Sequence, residues 1–224
     1  MLREWLKPKS VSEFTTEFLG RQAWASPGAA SQQVRLCGWE SVARLLGRAA
    51  ASEVLVVARG QLLGHVPPRS LSGLQSLMKQ GVGLCVRHAE RHDAQFASLA
   101  RSLGSQLGAK HVHVQIFVTP GGTHGFAWHY DAEDVFIVQT AGIKDYYFRK
   151  NTVDAHEPVA ATPDFSRVRS EVSPLQTARL VAGDCLYIPA RWWHMARSVE
   201  DSLSISLGAP ERPRQPVSRN VQPR

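Results

Sequence analysis

Cysteine is scarce in this chain. Its three residues, Cys37, Cys85 and Cys185, form neither a C-x-x-C pair nor an even framework of bridges, which suits a reducing compartment and makes the cytoplasm the expected location. Long apolar runs are also missing. Stretches such as VLVVA at 54–58 fall far short of the roughly 20 residues a membrane helix needs, so no membrane span is expected. The amino-terminal MLREWLKPKSVSEF interrupts any apolar stretch with charges and a proline, which argues against an export leader. Acidic residues are the short side of the charge balance, 19 Asp and Glu against 26 Lys and Arg for a net charge of +7. That excess favours acidic partners such as RNA or ribosomes and indicates no chemistry. What remains, 224 residues with 43% hydrophobic and 20% charged, is the composition of a globular protein with a sizeable core.

Apolar spacing predicts short helices over 11–20 (Val11, Phe14, Phe18) and 38–49 (Val42, Leu45, Leu46), and a clear amphipathic helix over 93–108 with Phe96, Leu99, Leu103 and Leu107 on one face. SEVLVVARGQLLGHV reads as a strand and hairpin, SLSGLQSLMKQG as a capped helix ending at Gly81, and residues 82–88 as a further strand. From His111 onward the pattern turns to β: HVHVQIFVT, AEDVFIVQT, KDYYFRKN, TARLVAG, DCLYIPA and DSLSISLGA, separated by Gly, Pro and Asp. Many short strands in succession point to a small barrel or a double-sheet jelly roll of the cupin kind. The expected organisation is one mainly β domain over 1–209. Helices and added strands over 1–110 would pack on a barrel core over 111–209. The tail 210–224, with four Arg against one Glu and almost nothing apolar, is expected to be disordered.

The stretch His129-Tyr130-Asp131 carries the chemistry. Residues i and i+2 of a strand share a face, so an imidazole and a carboxylate would project together while Tyr130 faces away. GDCLYIPARWWH supplies a third donor, His194, five residues beyond Pro189. Two histidines and one carboxylate on one side of a metal leave adjacent coordination positions open, the arrangement of mononuclear non-haem Fe(II) oxygenases. A zinc hydrolase could use the same donors, but no base is evident for a metal-bound water. An Asp at such a place is costly to bury without a cation, which argues against an accidental grouping.

PGGTHGFAWHYDAEDVFIVQTAGIKDYYF followed by GDCLYIPARWWHMARSVEDSLSISLGA resembles the JmjC-type, cupin-like 2-oxoglutarate oxygenases, and within them the ribosomal oxygenases that hydroxylate Arg or His side chains of ribosomal proteins. The resemblance implies a double-stranded β-helix, Fe(II) held by His129, Asp131 and His194 as the catalytic centre, and 2-oxoglutarate and O₂ as co-substrates. It puts Lys144 where the family holds the cation that pairs with the distal carboxylate of 2-oxoglutarate, and a buried Lys needs an anionic partner in any case. Gln115 stands where the family usually has Asn in the strand before the motif, and Phe117 where it has Tyr, so that pocket contact is altered. Ser202, Ser204 and Ser206 share strand parity; Ser204 and Ser206 are the candidates for co-substrate contact, with local packing as the alternative. Trp128 and Gln139 are candidate substrate contacts, and Trp192 and Trp193 could form a rim or serve as packing. The implied substrate is a protein or peptide side chain, with ribosome association. The alternatives are a free amino acid or natural-product intermediate, or a silent metal-binding cupin. Relatives continue into a helical dimerisation region and a winged helix that have no counterpart after Pro210, which leaves oligomeric state and substrate open.

Two rival patterns fail on chemistry. HAERH at 88–92 has Ala89 where a zinc-protease motif needs Glu directly after the first His. His111 and His113 share a strand face, but no Glu follows at the required distance, so they are expected to be structural.

Overall fold

The computed structural model describes residues 1–153 and 165–210; the expectation for the basic tail falls outside that range from Glu211 onward. The strands in chain order are β1 (Trp24–Ser26), β2 (Val54–Ala58), β3 (Gln61–Leu63), β4 (Gly83–Val86), β5 (His113–Thr119), β6 (Glu133–Ala141), β7 (Lys144–Arg149), β8 (Gln176–Leu180), β9 (Cys185–Ile188), β10 (Trp193–Ser198) and β11 (Ser202–Pro210). They form an eight-stranded sheet in the order β1-β9-β6-β11-β5-β4-β2-β3 and a three-stranded sheet in the order β10-β7-β8. Every strand pairing among them is antiparallel. This is the expected jelly-roll core with helices packed on it.

The alternation of β5, β6 and β11 explains why two layers form on the large sheet. Val114, Ile116 and Val118, Phe136 and Val138, and Leu203, Ile205 and Leu207 all point to one face and are fully buried. There they meet the helices Trp39–Arg48 and Ala94–Leu107 through Leu45, Leu46, Phe96 and Leu103. Asp93 caps the second of these helices by accepting from the Gln95 N–H, and Gly108 ends it in the left-handed region, within the bounds predicted for that helix. The opposite parity of β6 turns Val135 and Ile137 toward the small sheet. A second, smaller cluster forms there with Tyr146, Phe148, Leu180 and Trp192. The metal-ligand candidates sit between the two sheets.

The sequence pattern predicts neither β1 nor β10. β1 is only three residues long, and β10 begins in the aromatic-rich WWHMARS, where no alternation is visible. The segment holding His129 is also corrected. It is not a regular strand; His129 makes an isolated bridge to β10, in which the His129 N–H donates to the His194 carbonyl (3.1 Å) and the His194 N–H donates back (2.8 Å). One bridge suffices to keep the backbone extended at that point, so Asp131 projects as a strand residue would, and Tyr130 turns away to pack edge-on against Trp193.

Candidate metal centre

The reciprocal bridge brings the two imidazoles together from segments 65 residues apart, with ring centroids separated by 4.2 Å. Asp131 is fixed beside them because its carbonyl accepts from the Arg191 N–H at 2.7 Å. Its Oδ2 lies 3.5 Å from His194 Nε2 and 4.0 Å from His129 Nε2. The three donor atoms fall within 4.8 Å of one another, the only such grouping of His, Cys, Asp or Glu among the described residues.

The tautomers are settled by the outer partners. His129 Nδ1 is 2.7 Å from the Ala127 carbonyl and His194 Nδ1 is 3.0 Å from the Trp192 carbonyl. A carbonyl only accepts, so each Nδ1 carries a hydrogen, and in the neutral ring each Nε2 keeps a lone pair that a metal beside Asp131 could take. Burial, aided by the neighbouring imidazole and opposed by Asp131, pushes His129 down to about 4, so it is neutral and ready to ligate. Burial would lower His194 as well, but the hydrogen bond and charge of Asp131 outweigh it and raise that ring. For Asp131, burial pulls upward, yet the His194 hydrogen bond and the two imidazoles hold the carboxyl at about 2. Two neutral-capable nitrogens and one ionised oxygen on one side of a small space fit a divalent transition metal with positions left free.

A cavity of about 160 Å³ opens from these donors into the space between the sheets. At ~30 Å³ per water in the liquid, that is room for about five waters, enough for a small acid. Its far end is built around Lys144, which is 3% exposed. The ammonium donates to Thr119 Oγ1 at 3.2 Å and Ser204 Oγ at 3.3 Å, and no carboxylate pairs with it among the described residues. Burial pulls it down to about 7. Gln115, Ser204 and Ser206 also line this cavity. Cys85 Sγ donates to the Gln115 Oε1 at 3.2 Å, which leaves the amide nitrogen as that residue's spare donor.

Trp128 and Gln139 are placed elsewhere, and neither lines the cavity. Gln139 does share the inward parity of β6, but it lies beyond the closed end, fully buried, with its Nε2 donating to the Ala141 carbonyl. Trp192 and Trp193 are packing residues, the first between the sheets and the second against Tyr130. His88 and His92, of HAERH, pair with Glu90 and Glu53, and His113 lies 3.5 Å from Glu133, so none of them joins the metal donors. Sequence reasoning missed Thr119, Tyr146 and Glu133 as cavity residues. The period-2 signal was present for two of them, since Tyr146 follows Lys144 and Glu133 follows Asp131 at a spacing of two.

A model of the JmjC domain matches residues 86–216 of this chain. Among characterised proteins, the bifunctional lysine-specific demethylase and histidyl-hydroxylase NO66 of Dictyostelium discoideum is 38% identical over 97 residues, covering 43% of this chain and 19% of its own length. Ribosomal oxygenase 1 of Danio rerio is 32% identical over 111 residues, covering 49% of this chain and 19% of its own length. The matched region thus spans under a fifth of these relatives. Among solved structures, YcfD, a ribosomal oxygenase from Escherichia coli, in complex with cobalt and 2-oxoglutarate, has a TM-score of 0.65 at 18% identity, covering 97% of this chain and 61% of that one. The same protein with cobalt and succinic acid gives 0.64 at 19% identity, covering 95% and 53%. At that identity the likeness shows a shared fold.

Proposed function

The chain belongs to the JmjC domain family, and we propose that it is an Fe(II)- and 2-oxoglutarate-dependent hydroxylase acting on a protein or peptide side chain, such as an Arg or His of a ribosomal protein. Action beside ribosomes in the cytoplasm is part of the same proposal. The observation that carries it is the pairing of two incomplete sites in one cavity: three metal donors at one end and, at the other, a buried ammonium with only hydroxyls for company. A buried cation of this kind calls for an anion. A dicarboxylate reaching from the donors to Lys144 satisfies both ends.

When bound, ferrous iron and 2-oxoglutarate supply the activation of O₂ that replaces a C–H bond with C–OH and leaves succinate and CO₂. The chain's own work is positional. His129, Asp131 and His194 would hold the metal, with the Ala127 and Trp192 carbonyls keeping both Nε2 atoms turned inward. Lys144, steadied by Thr119 and Ser204, would bind the distal carboxylate. Val135, Ile137, Phe117 and Phe126 line the space between and exclude water. The test is incubation of the purified chain with Fe(II), 2-oxoglutarate and ribosomal proteins. Succinate release together with a one-oxygen mass gain on a ribosomal protein is expected; succinate absent under every condition overturns the reading.

The acid–base state of Lys144 adds a second expectation. Its ligand-free value of about 7 must rise when a carboxylate arrives, because the ion pair exists only with the ammonium charged. Below pH ~7 the proton is already in place and affinity is flat. Above it, binding must recruit the proton, so affinity for 2-oxoglutarate should fall by up to about tenfold per pH unit. Calorimetry near pH 8.5 in two buffers of different ionisation heat should report uptake approaching about one proton per molecule bound.

A further inference from the structure

Glu133 is a charged group on the cavity wall that the proposed reaction does not use. Its side chain is 22% exposed. Among the described residues its carboxylate accepts no hydrogen bond, and its one ionic neighbour is His113 Nδ1 at 3.5 Å, on a side chain 41% exposed. It lies at the opposite end of the cavity from Lys144. Along β11, which borders both, Ser204 contacts Lys144 while Gly208 sits beneath Glu133. Four residues at ~3.3 Å each put those two positions on β11 about 13 Å apart.

The position is built rather than incidental. At Gly208 a Cβ would run into the Glu133 carboxylate, meeting its carboxyl carbon at 2.8 Å. The absence of a side chain there lets the acid lie down over β11 toward the cavity instead of out to solvent.

We propose that Glu133 selects the substrate side chain by its positive charge, with a guanidinium as the best fit. This inference rests on the hydroxylase reading for the assignment of this end of the cavity to the substrate. A planar guanidinium offers two parallel N–H donors to a carboxylate, which an ammonium or a neutral imidazole does not. Lys144 and Glu133 thus divide the cavity, the cation taking the acidic co-substrate and the anion taking the basic substrate.

The test is binding of two acetylated, amidated tripeptides, Gly-Arg-Gly and Gly-citrulline-Gly, to the full chain, measured by calorimetry with and without cobalt(II). Citrulline keeps the shape of arginine and removes its charge. The arginine peptide should bind about ten- to a hundredfold more tightly, as for hydrogen bonds to a charged group. In Glu133→Gln that preference should shrink to about twofold or less. In Gly208→Ala, which keeps the acid but displaces it, it should fall to an intermediate value. Equal affinity of the two peptides for the unaltered chain, including no detectable binding of either at millimolar concentration, overturns the proposal, as does a preference that survives Glu133→Gln. Because the readout is binding and is repeated without metal, its failure is separable from failure of the hydroxylase reading, which is scored by succinate.

Discussion

Asp131→Ala should abolish turnover, with succinate formation falling by at least about a thousandfold, while the metal-free protein melts within a few degrees of the unaltered one. The first half follows from donor chemistry. Loss even of an outer partner of a metal ligand costs 10- to 100-fold in affinity or activity, and Asp131 is itself the donor and the charged one of the three. Two imidazoles would remain to hold a divalent cation. The second half follows from burial. The Asp131 side chain is 45% exposed, so truncation opens no internal void, and the backbone bridge of His129 to His194 involves no side-chain atom of Asp131. The two halves separate in a melting experiment with cobalt(II). A ligand at a hundred times its Kd stabilises the folded state by about 2.7 kcal/mol, and that metal-induced gain should be present in the unaltered chain and missing in Asp131→Ala. A variant that still gains stability from cobalt(II), or still releases succinate, would place the metal elsewhere. The pH trend supplies a further check. Asp131 raises His194, so protons compete with metal at that nitrogen as pH falls; removing the carboxylate removes that cause along with the site.

How much of this centre the sequence discloses depends on which residues are read together. The spacing of His129 and Asp131, the GDCLYIP turn before His194, and the Ser204 and Ser206 parity all reach the cavity as read. So does Lys144, although its role comes from resemblance and from the cost of a buried cation rather than from any local pattern. The same period of two, started from each of these residues, produces most of the wall: Asp131, Glu133, Val135 and Ile137 in one line, then Lys144 with Tyr146 and His194 with Ala196. Glu133 and Tyr146 were therefore legible and went unread. Gln139 shows the limit of the rule, because parity gives the face and not the depth, and the cavity ends before β6 does. The aromatic residues show another. Trp128, Trp192 and Trp193 adjoin the ligands in sequence, but the bridge at His129 turns Tyr130 onto Trp193, and Trp192 fills the gap between sheets. No local pattern announces a single cross-chain bridge, which depends on two segments far apart in sequence meeting in one register.

Lys144→Met should remove 2-oxoglutarate from the enzyme's reach and make the ligand-free protein more stable, two effects of opposite apparent benefit with one cause. Breaking a buried ion pair by deleting one partner costs about 3–5 kcal/mol, so the co-substrate requirement should rise by a hundredfold or more while cobalt(II) binding is largely kept. The stability gain comes from the same ammonium without its partner. Burial lowers its value from 10.5 in the unfolded chain to about 7, so the folded state bears the full penalty of a buried charge below pH ~7. That penalty fades as pH rises from 7 toward 10.5, because the folded chain has already released the proton that the unfolded chain still holds. The penalty is on the order of 5 kcal/mol, from which about 1–2 kcal/mol is subtracted for the Thr119 and Ser204 hydroxyls that lose a donor. Urea unfolding at pH 6 should therefore show Lys144→Met more stable by about 3 kcal/mol, and at pH 10 the two chains should nearly coincide. Saturating 2-oxoglutarate should close the gap at pH 6 from the other side, by stabilising only the chain that keeps its lysine. A variant equally stable at both pH values would mean that Lys144 already has an anionic partner, and a variant with unchanged co-substrate dependence would move the distal carboxylate to another residue.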